Sequence, residues 1–308
     1  MTRPVWLLVN PAAGRGRAAD RVERAYAALR TIGPVVLMES TAPGDEARVA
    51  REAARAEARA LVVLGGDGAL SHAARGLVEV GAEVPLTVFP SGTGNDYAKS
   101  LGLPAHDYLA IARLIADGAV YTVDIGEMDG VPFLNAAGLG FDASVAHAVR
   151  DPAHWPALRG SLRYLGISAA QLLRYRGAPL AVSGLAEGRA EPWLMVVFAK
   201  GQWFGGAFRI APAAQLASGS LSCVAIAELP AMPRIGLFAR ALRGAHLGRR
   251  GVVSTTMTEV TVTAAAAPWF EADGELYRAT GPTLTVRVRP QALRVVGRPA
   301  LSVPPGSR

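Results

Sequence analysis

Two glycine-rich stretches constrain this chain more than any other feature, because each joins a short apolar run to a segment with helical spacing. Residues 61–64 lead into Gly65-Gly66-Asp67-Gly68, and residues 86–89 lead into Pro90-Ser91-Gly92-Thr93-Gly94-Asn95-Asp96. Several glycines around one acid would weaken the interior of a strand or a helix. Each stretch is therefore predicted to be a tight connection from a buried strand to the helix that follows it.

The residue types in these connections suit phosphate and magnesium. Glycines let backbone N–H groups approach phosphate oxygens, a helix N-terminus adds partial positive charge, and Asp67 or Asp96 can hold a magnesium ion that bridges phosphates. Ser71 and Thr93 are candidate phosphate-contacting hydroxyls, although helix capping explains them almost as well, as it does Asp96. The pattern predicts a nucleotide-dependent phosphotransferase.

A third loop, Asn10-Pro11-Ala12-Ala13-Gly14, follows the apolar run of residues 5–9. Taken alone, this loop is an ordinary connection between a strand and a helix. It is not a P-loop, because the terminal Lys-Ser/Thr is missing, so phosphates would have to be held by backbone groups and magnesium.

Residues 5–124 alternate short apolar runs with segments of helical spacing. This alternation predicts a doubly wound α/β domain with a parallel sheet, in which ligands lie at the carboxyl ends of the strands. All three glycine loops follow strands, so they are expected to converge. We place this nucleotide-binding domain at residues 1–125, with the tail 293–308 a candidate to rejoin it.

From residue 126 to residue 292 the pattern changes to many short strands separated by glycine and proline, typical of a mostly antiparallel β domain. Asp129-Gly130 predicts a tight hairpin turn. Residues 157–176 form the one convincing amphipathic helix of this half. Asp273-Gly274 is either another hairpin turn or part of a site, and Glu275 beside it is either a solvated acid or a general base for a neutral hydroxyl.

Composition and charge limit the classes of partner that this chain can have. The formal net charge of +7 favours anionic partners, but nucleic acid is the weakest of them because no zinc-finger spacing or RNA-binding aromatic motif is present. No apolar run approaches the roughly 20 residues needed to cross a bilayer, and the start lacks a signal peptide. These features predict a cytoplasmic protein. The single cysteine, Cys223, excludes an intramolecular disulfide.

Taken together and in order, the motifs resemble the diacylglycerol kinase catalytic family, which includes bacterial soluble lipid kinases and, more distantly, sphingosine and ceramide kinases. The resemblance covers nearly the whole chain. It rests on six stretches in this order: Asn10-Pro11, Thr41-Ala42-Pro43-Gly44-Asp45, Gly65-Gly66-Asp67-Gly68, residues 90–96, residues 135–142 and Asp273-Gly274-Glu275.

The resemblance implies an α/β nucleotide domain followed by a β-sandwich lipid-substrate domain, with ATP in the cleft between them. Asp67 and Asp96 would organise catalytic magnesium, and Glu275 would deprotonate the lipid hydroxyl. The implied nucleotide contacts are Asn10, Pro11, Ala12, Ala13, Gly14, Thr41, Gly65, Gly66, Asp67, Gly68, Ala69, Leu70, Ser71 and Thr93.

The chain departs from the family pattern at two positions. Ala69 stands where the family usually has threonine, which removes one hydroxyl near the phosphates. Ser218-Gly219 stands where family members with a structural magnesium have Asp-Gly. A neutral serine is a poor substitute for that carboxylate, which argues against a second magnesium near Gln215, Ser218 and Ser220. Lowered or altered activity is a corresponding expectation.

The leading hypothesis is an ATP- and magnesium-dependent lipid kinase that acts at a membrane surface without spanning it. A kinase of a soluble acceptor such as a nicotinamide dinucleotide, and a nucleotide-binding regulatory protein with little catalysis, are the alternatives. The sequence leaves a homodimer open. Residues 233–251 place five arginines among apolar residues, which is typical either of a helix on an anionic surface or of a basic solvent-facing helix.

Overall fold

The structure is a computed structural model that describes residues 2–10, 18–150 and 160–298. The chain divides into two compact units. The first comprises residues 1–125, 215–219 and 289–308, and the second comprises residues 126–214 and 220–288.

The first unit begins as a regular alternation of strands and helices, as the apolar periodicity predicts. Its strands are β1 (Val5–Val9), β2 (Val35–Glu39), β3 (Ala60–Gly65), β4 (Leu86–Pro90) and the first part of β5 (Val120–Met128). Its helices are α1 (Ala18–Arg30), α2 (Glu46–Arg55), α3 (Asp67–Glu79), α4 (Asp96–Ser100) and α5 (Tyr108–Ala116).

The first four strands are parallel, in the order β2-β1-β3-β4. Every residue of β3 and β4 is buried, and continuous apolar runs are what a parallel strand covered on both faces requires. The edge strand β2 is only partly buried. Val295 pairs in parallel with Leu86 of β4, and the Thr87 hydroxyl donates to the Val296 carbonyl at 3.1 Å.

In its described residues, the second unit is built from antiparallel strands with three α-helices. The strands are β6 (Val131–Phe133), β7 (Ala136–Gly140), β8 (Ala178–Val182), β9 (Ala190–Ala199), β10 (Leu221–Ala227), β11 (Val252–Met257), β12 (Glu259–Ala264), β13 (Trp269–Ala272), β14 (Glu275–Arg278) and the first part of β15 (Thr283–Val296). The helices are α6 (Phe141–Arg150), α7 (Gly160–Arg174) and α8 (Ala231–Ala241).

Two apolar clusters lie on opposite faces of β9, because neighbouring residues of a strand point in opposite directions. Val196 and Phe198 belong to a cluster made almost wholly of strand residues. Met195 and Val197 belong to a second cluster that takes in side chains of α6 and α8. The α/β unit followed by antiparallel, sandwich-like strands confirms the predicted fold class.

The turn predicted at Asp129-Gly130 is present. Asp129 and Gly130 both have positive φ, +49° and +81°, in the turn that joins β5 to β6. Cys223 is buried in β10, and burial raises the pKa of its thiol to about 12, so it is unreactive. Among the described residues, no helix is both long and apolar enough to cross a membrane.

Candidate active site

In the first unit the two opening glycine stretches lie side by side. Gly65, the last residue of β3, pairs with Pro90, the last residue of β4, and the Ser91 N–H donates to the Gly65 carbonyl at 2.9 Å. A Cβ added to Gly92 would lie 2.7 Å from the Gly66 Cα, so only glycine permits this approach. The sheet geometry therefore brings two glycine loops and two helix N-termini to one edge.

The two aspartates of these loops are linked through the backbone. The Asp67 Oδ1 accepts a hydrogen bond from the Tyr97 N–H at 3.0 Å, at the residue next to Asp96. Asp96 is buried, and the Lys99 Nζ lies 3.0 Å from its Oδ1. Carboxylate oxygens are the donors that magnesium prefers. Asp67 and Asp96, on two touching loops, therefore fit a magnesium–nucleotide complex.

The second loop is shaped by Asn95, which has the left-handed φ of +52°. Its side chain accepts from the Gly92 N–H at 3.0 Å and donates to the Gly92 carbonyl at 2.8 Å. Gly92 and Thr93 are exposed, so a ligand can reach them. In α3, by contrast, Leu70 and Ser71 are buried at 1% exposure each.

Thr41, another implied nucleotide contact, is bonded to the side chain of Asp45. The Thr41 N–H and hydroxyl both donate to Asp45 Oδ2, at 2.9 and 3.0 Å. Hydrogen bonds from Arg48 and Thr41 hold the pKa of that carboxyl well below its usual range. Pro11, Ala12, Ala13 and Gly14 lie outside the described residues.

Asn10, just after β1, is positioned by Glu46, an acid that no sequence motif distinguishes. The Asn10 Nδ2 donates to Glu46 Oε1 at 3.2 Å, the Gly44 N–H donates to Glu46 Oε2 at 3.0 Å, and the His72 Nδ1 lies 3.4 Å from Glu46 Oε2. Glu46 is 1% exposed, but in the sequence it is one of many charges in an alanine-rich helix.

In the second unit, Glu275 begins β14 directly after the Asp273-Gly274 turn. The Asp273 carboxylate accepts the N–H groups of Leu134 at 2.7 Å, Asn135 at 2.8 Å and Ala136 at 3.2 Å. The Gly274 N–H donates to Glu271. The turn is therefore attached to the segment before β7, which fixes the backbone from which Glu275 projects.

Arg150, at the end of α6, contacts the same residue. Its Nη1 donates to the Leu276 carbonyl at 3.2 Å, and its Nη2 lies 3.7 Å from Glu275 Oε2. The Glu275 side chain is 39% exposed. A carboxylate with this exposure is accessible to substrate, and the guanidinium of Arg150 is close enough to orient it.

Asp142, in the first turn of α6, is a buried acid. Among the described residues, no donor forms a hydrogen bond of good geometry with either carboxylate oxygen, although two backbone N–H groups lie nearby, and a Cβ on Gly138 would overlap Oδ2. Burial raises the pKa of this carboxyl to about 7, although the backbone N–H groups of Asp142 and Ala143 counteract the shift in part. The negative charge of Asp142 also contributes to a raised pKa at Tyr175.

Asp142 should make the protein less stable as pH rises. Because its folded pKa is above its unfolded value, the folded state binds more protons between about pH 4 and pH 7, so the free energy of unfolding falls across that window. Asp142→Asn should remove this pH dependence. Relative to the wild type, it should raise the free energy of unfolding by up to about 4 kcal/mol near pH 8 but change it little near pH 4. Urea denaturation across this range measures it, and a wild-type to variant difference that does not change with pH would refute the assignment.

The donors near Gln215, Ser218 and Ser220 do not fit a structural magnesium ion. The Gln215 carbonyl accepts from the Ser218 hydroxyl at 3.2 Å, and the Ser220 carbonyl accepts from the buried Lys200 Nζ at 2.8 Å. The Asp124 carboxylate accepts the Gly219 and Gln291 N–H groups at 2.7 and 3.0 Å. Hydrogen bonds within the protein thus already engage these oxygens. Within residues 2–10, 18–150 and 160–298, no three His, Cys, Asp or Glu side chains are grouped to hold a metal.

Chelation should therefore leave the stability of the nucleotide-free protein unchanged. Adding EDTA or magnesium is expected to cause no shift in Tm, because a ligand stabilises only a state that binds it. Lys200→Met is a variant that should lower stability, by about 1–3 kcal/mol, since the Ser220 carbonyl loses the hydrogen bond from the buried ammonium group. A clear fall in Tm on chelation alone would show that a divalent ion does bind.

Comparison with known proteins covers both units. Residues 4–128 match the family model described as the diacylglycerol kinase catalytic domain. Residues 135–297 match the model described as the YegS C-terminal NAD kinase beta sandwich-like domain.

Curated relatives match over most of their length. The chain is 32% identical to the diacylglycerol kinase of Mycobacterium tuberculosis, with 84% of each chain covered. It is 30% identical to a protein of Pseudomonas aeruginosa named probable lipid kinase YegS-like, with 95% of each covered. A crystal structure of a diacylglycerol kinase from Bacillus anthracis superposes with a TM-score of 0.73 at 17% identity, covering 97% of this chain and 98% of the other, which supports the fold alone.

Proposed function

Because the chain belongs to the diacylglycerol kinase catalytic domain family, we propose that it transfers the γ-phosphate of ATP to the hydroxyl of a diacylglycerol-like lipid. The observation that carries the proposal is the pair of touching glycine loops with Asp67 and Asp96. Membership in this family supports a kinase, whereas ATP, magnesium and the acceptor are parts of the proposal.

The first unit supplies the nucleotide end of the reaction. The first N–H groups of α3 have no partner within the helix, and they follow two glycines, so they can donate to phosphate oxygens. Asp67 and Asp96 would hold magnesium, which when bound neutralises charge on the phosphates. Asn95 keeps the second loop in shape by bonding both backbone groups of Gly92.

Glu275 in the second unit is the proposed general base. Its carboxylate accepts the proton of the acceptor hydroxyl, whose oxygen forms the new bond to the γ-phosphorus as the bond from that phosphorus to the bridging oxygen of ADP breaks. Asp273 positions Glu275 by fixing the turn before it, and Arg150 contacts its carboxylate. Peripheral contact with a membrane, where such an acceptor resides, is part of this proposal.

The test is incubation with labelled ATP, magnesium and a panel of lipids that carry a free hydroxyl, with a nicotinamide dinucleotide as a soluble acceptor. Labelled, solvent-extractable phospholipid is the expected product. Label on the dinucleotide would favour the soluble-acceptor alternative. Nucleotide binding without transfer to any acceptor would favour a regulatory role. Ala69, in the first turn of α3, is the reason to consider that role, since it lacks the hydroxyl of the threonine usual at this position.

A further inference from the structure

Helix α8 presents an apolar stripe to solvent instead of burying it. Met232, Ile235 and Leu242 are 76%, 44% and 46% exposed, and Ala239 between them is exposed too. At a spacing of three, seven and ten residues from Met232, these positions lie on one side of a helix. Soluble helices normally turn such a stripe toward the core, so an exposed one indicates an interaction surface.

The rotation of α8 is fixed by Arg234, which points inward. Arg234 is 4% exposed, and its guanidinium donates to the carbonyls of Leu172 at 3.0 Å and Tyr175 at 2.6 Å, besides pairing with Glu228. Leu237 and Ala241 are buried on the same side. Because a buried guanidinium must keep its partners, α8 cannot turn to bury Met232 and Ile235.

The charged residues of the segment that carries the stripe have a single sign. Residues 229–258 contain no aspartate or glutamate. Arg240, Arg243, Arg249 and Arg250 are all exposed, and in the part of the chain that the structure describes, none of them pairs with a carboxylate. At the end of α7, next to the Leu172 carbonyl that accepts from Arg234, Leu173 is 52% exposed and Arg174 and Arg176 are exposed as well.

An apolar stripe on a segment whose charged residues are all arginines fits an anionic lipid bilayer. The apolar side chains can enter the boundary of the acyl region, while guanidinium groups bond phosphates at the headgroups. A second copy of the same face would oppose arginine with arginine, and a nucleic acid would leave the stripe unburied. We propose that α8 and the end of α7 dock this protein onto anionic phospholipid membranes. The proposal deepens the proposed function, whose acceptor is a membrane lipid.

The test is co-sedimentation of the full chain with vesicles of phosphatidylcholine alone or mixed with phosphatidylglycerol. The wild type should bind the anionic vesicles and release them as salt is raised. Since each arginine near such a surface contributes about 1 kcal/mol, the variant R240Q/R243Q/R249Q/R250Q should bind at least about 100-fold more weakly. M232Q/I235Q/L242Q keeps the charge but should also lose binding.

A matched control removes four exposed arginines from other elements, as R30Q/R55Q/R113Q/R189Q, and should bind more tightly than the α8 variant of equal charge. Equal losses in the two arginine variants would reduce the effect to net charge and overturn the proposal. The proposal is also overturned if the wild type binds vesicles equally with and without phosphatidylglycerol. It is overturned as well if M232Q/I235Q/L242Q shifts from dimer to monomer while its vesicle binding is unchanged.

Activity on a short-chain, monomeric diacylglycerol separates this proposal from the proposed function. Both α8 variants should phosphorylate the soluble acceptor at the wild-type rate, because no residue they change was placed in the reaction. If the wild type binds anionic vesicles but phosphorylates no lipid, the function fails and the docking surface stands. If it phosphorylates the soluble acceptor but ignores anionic vesicles, the docking surface fails alone.

Discussion

Glu275→Gln is expected to reduce turnover by about 100- to 10,000-fold while leaving nucleotide affinity unchanged. The amide has nearly the same size and shape, so the Asp273-Gly274 turn and β14 should keep their positions. It cannot accept the proton of the acceptor hydroxyl, because its oxygen is far less basic than a carboxylate. Initial rates of lipid phosphorylation and equilibrium titration with ATP measure the two quantities separately.

The control for this variant is Glu187→Gln, the same chemical change at a side chain that is 81% exposed in the same unit. It should leave both rate and affinity unchanged. If Glu275→Gln keeps the wild-type rate, Glu275 is not the base. If instead it loses rate and nucleotide affinity together, the defect lies in the structure around β14 and not in proton transfer.

Local sequence signals predict the elements around the two glycine loops well, since the constraint there is local. A parallel strand buried on both faces is mostly apolar, and the turn after it must be glycine where two backbones touch. Strands β3 and β4 meet the first condition, and Gly66 and Gly92 meet the second, so the positions of Asp67 and Asp96 could be inferred. The hairpin at Asp129-Gly130 follows from the same kind of rule.

The residues that support the candidate site could not be found in this way, because their partners are distant in the chain. Arg150 bonds the carbonyl of a residue 126 positions later, and nothing in the sequence of α6 distinguishes it from other arginines. Lys200 and Asp142 look like ordinary charges in the sequence, yet both are buried. The inward rotation of Arg234 in residues 233–251 likewise depends on two carbonyls from a distant segment, those of Leu172 and Tyr175.

Asp67→Asn should abolish most phosphate transfer without unfolding the protein. An asparagine oxygen can still accept the Tyr97 N–H that Asp67 Oδ1 accepts at 3.0 Å, so the link between the two loops should remain. The negative charge that a magnesium ion requires is lost, and removing one electrostatic contact to the transferring group typically costs about 100- to 1,000-fold in rate. Urea denaturation and initial rates at increasing magnesium concentration measure stability and function independently.

Two further variants separate the roles of the Asp67 charge and its hydrogen bond. Asp67→Ala removes both, so it should lose the same activity and in addition about 1–3 kcal/mol of stability, since the buried backbone near Tyr97 loses its acceptor. Asp20→Asn makes the same chemical change in the first turn of α1, another helix of this unit, and should alter neither the activity nor the stability. If Asp67→Ala is as stable as Asp67→Asn, the hydrogen bond to Tyr97 does not hold the loops together. If Asp67→Asn retains the wild-type rate at low magnesium, Asp67 holds no catalytic metal, and Asp96 is left as the ligand to test.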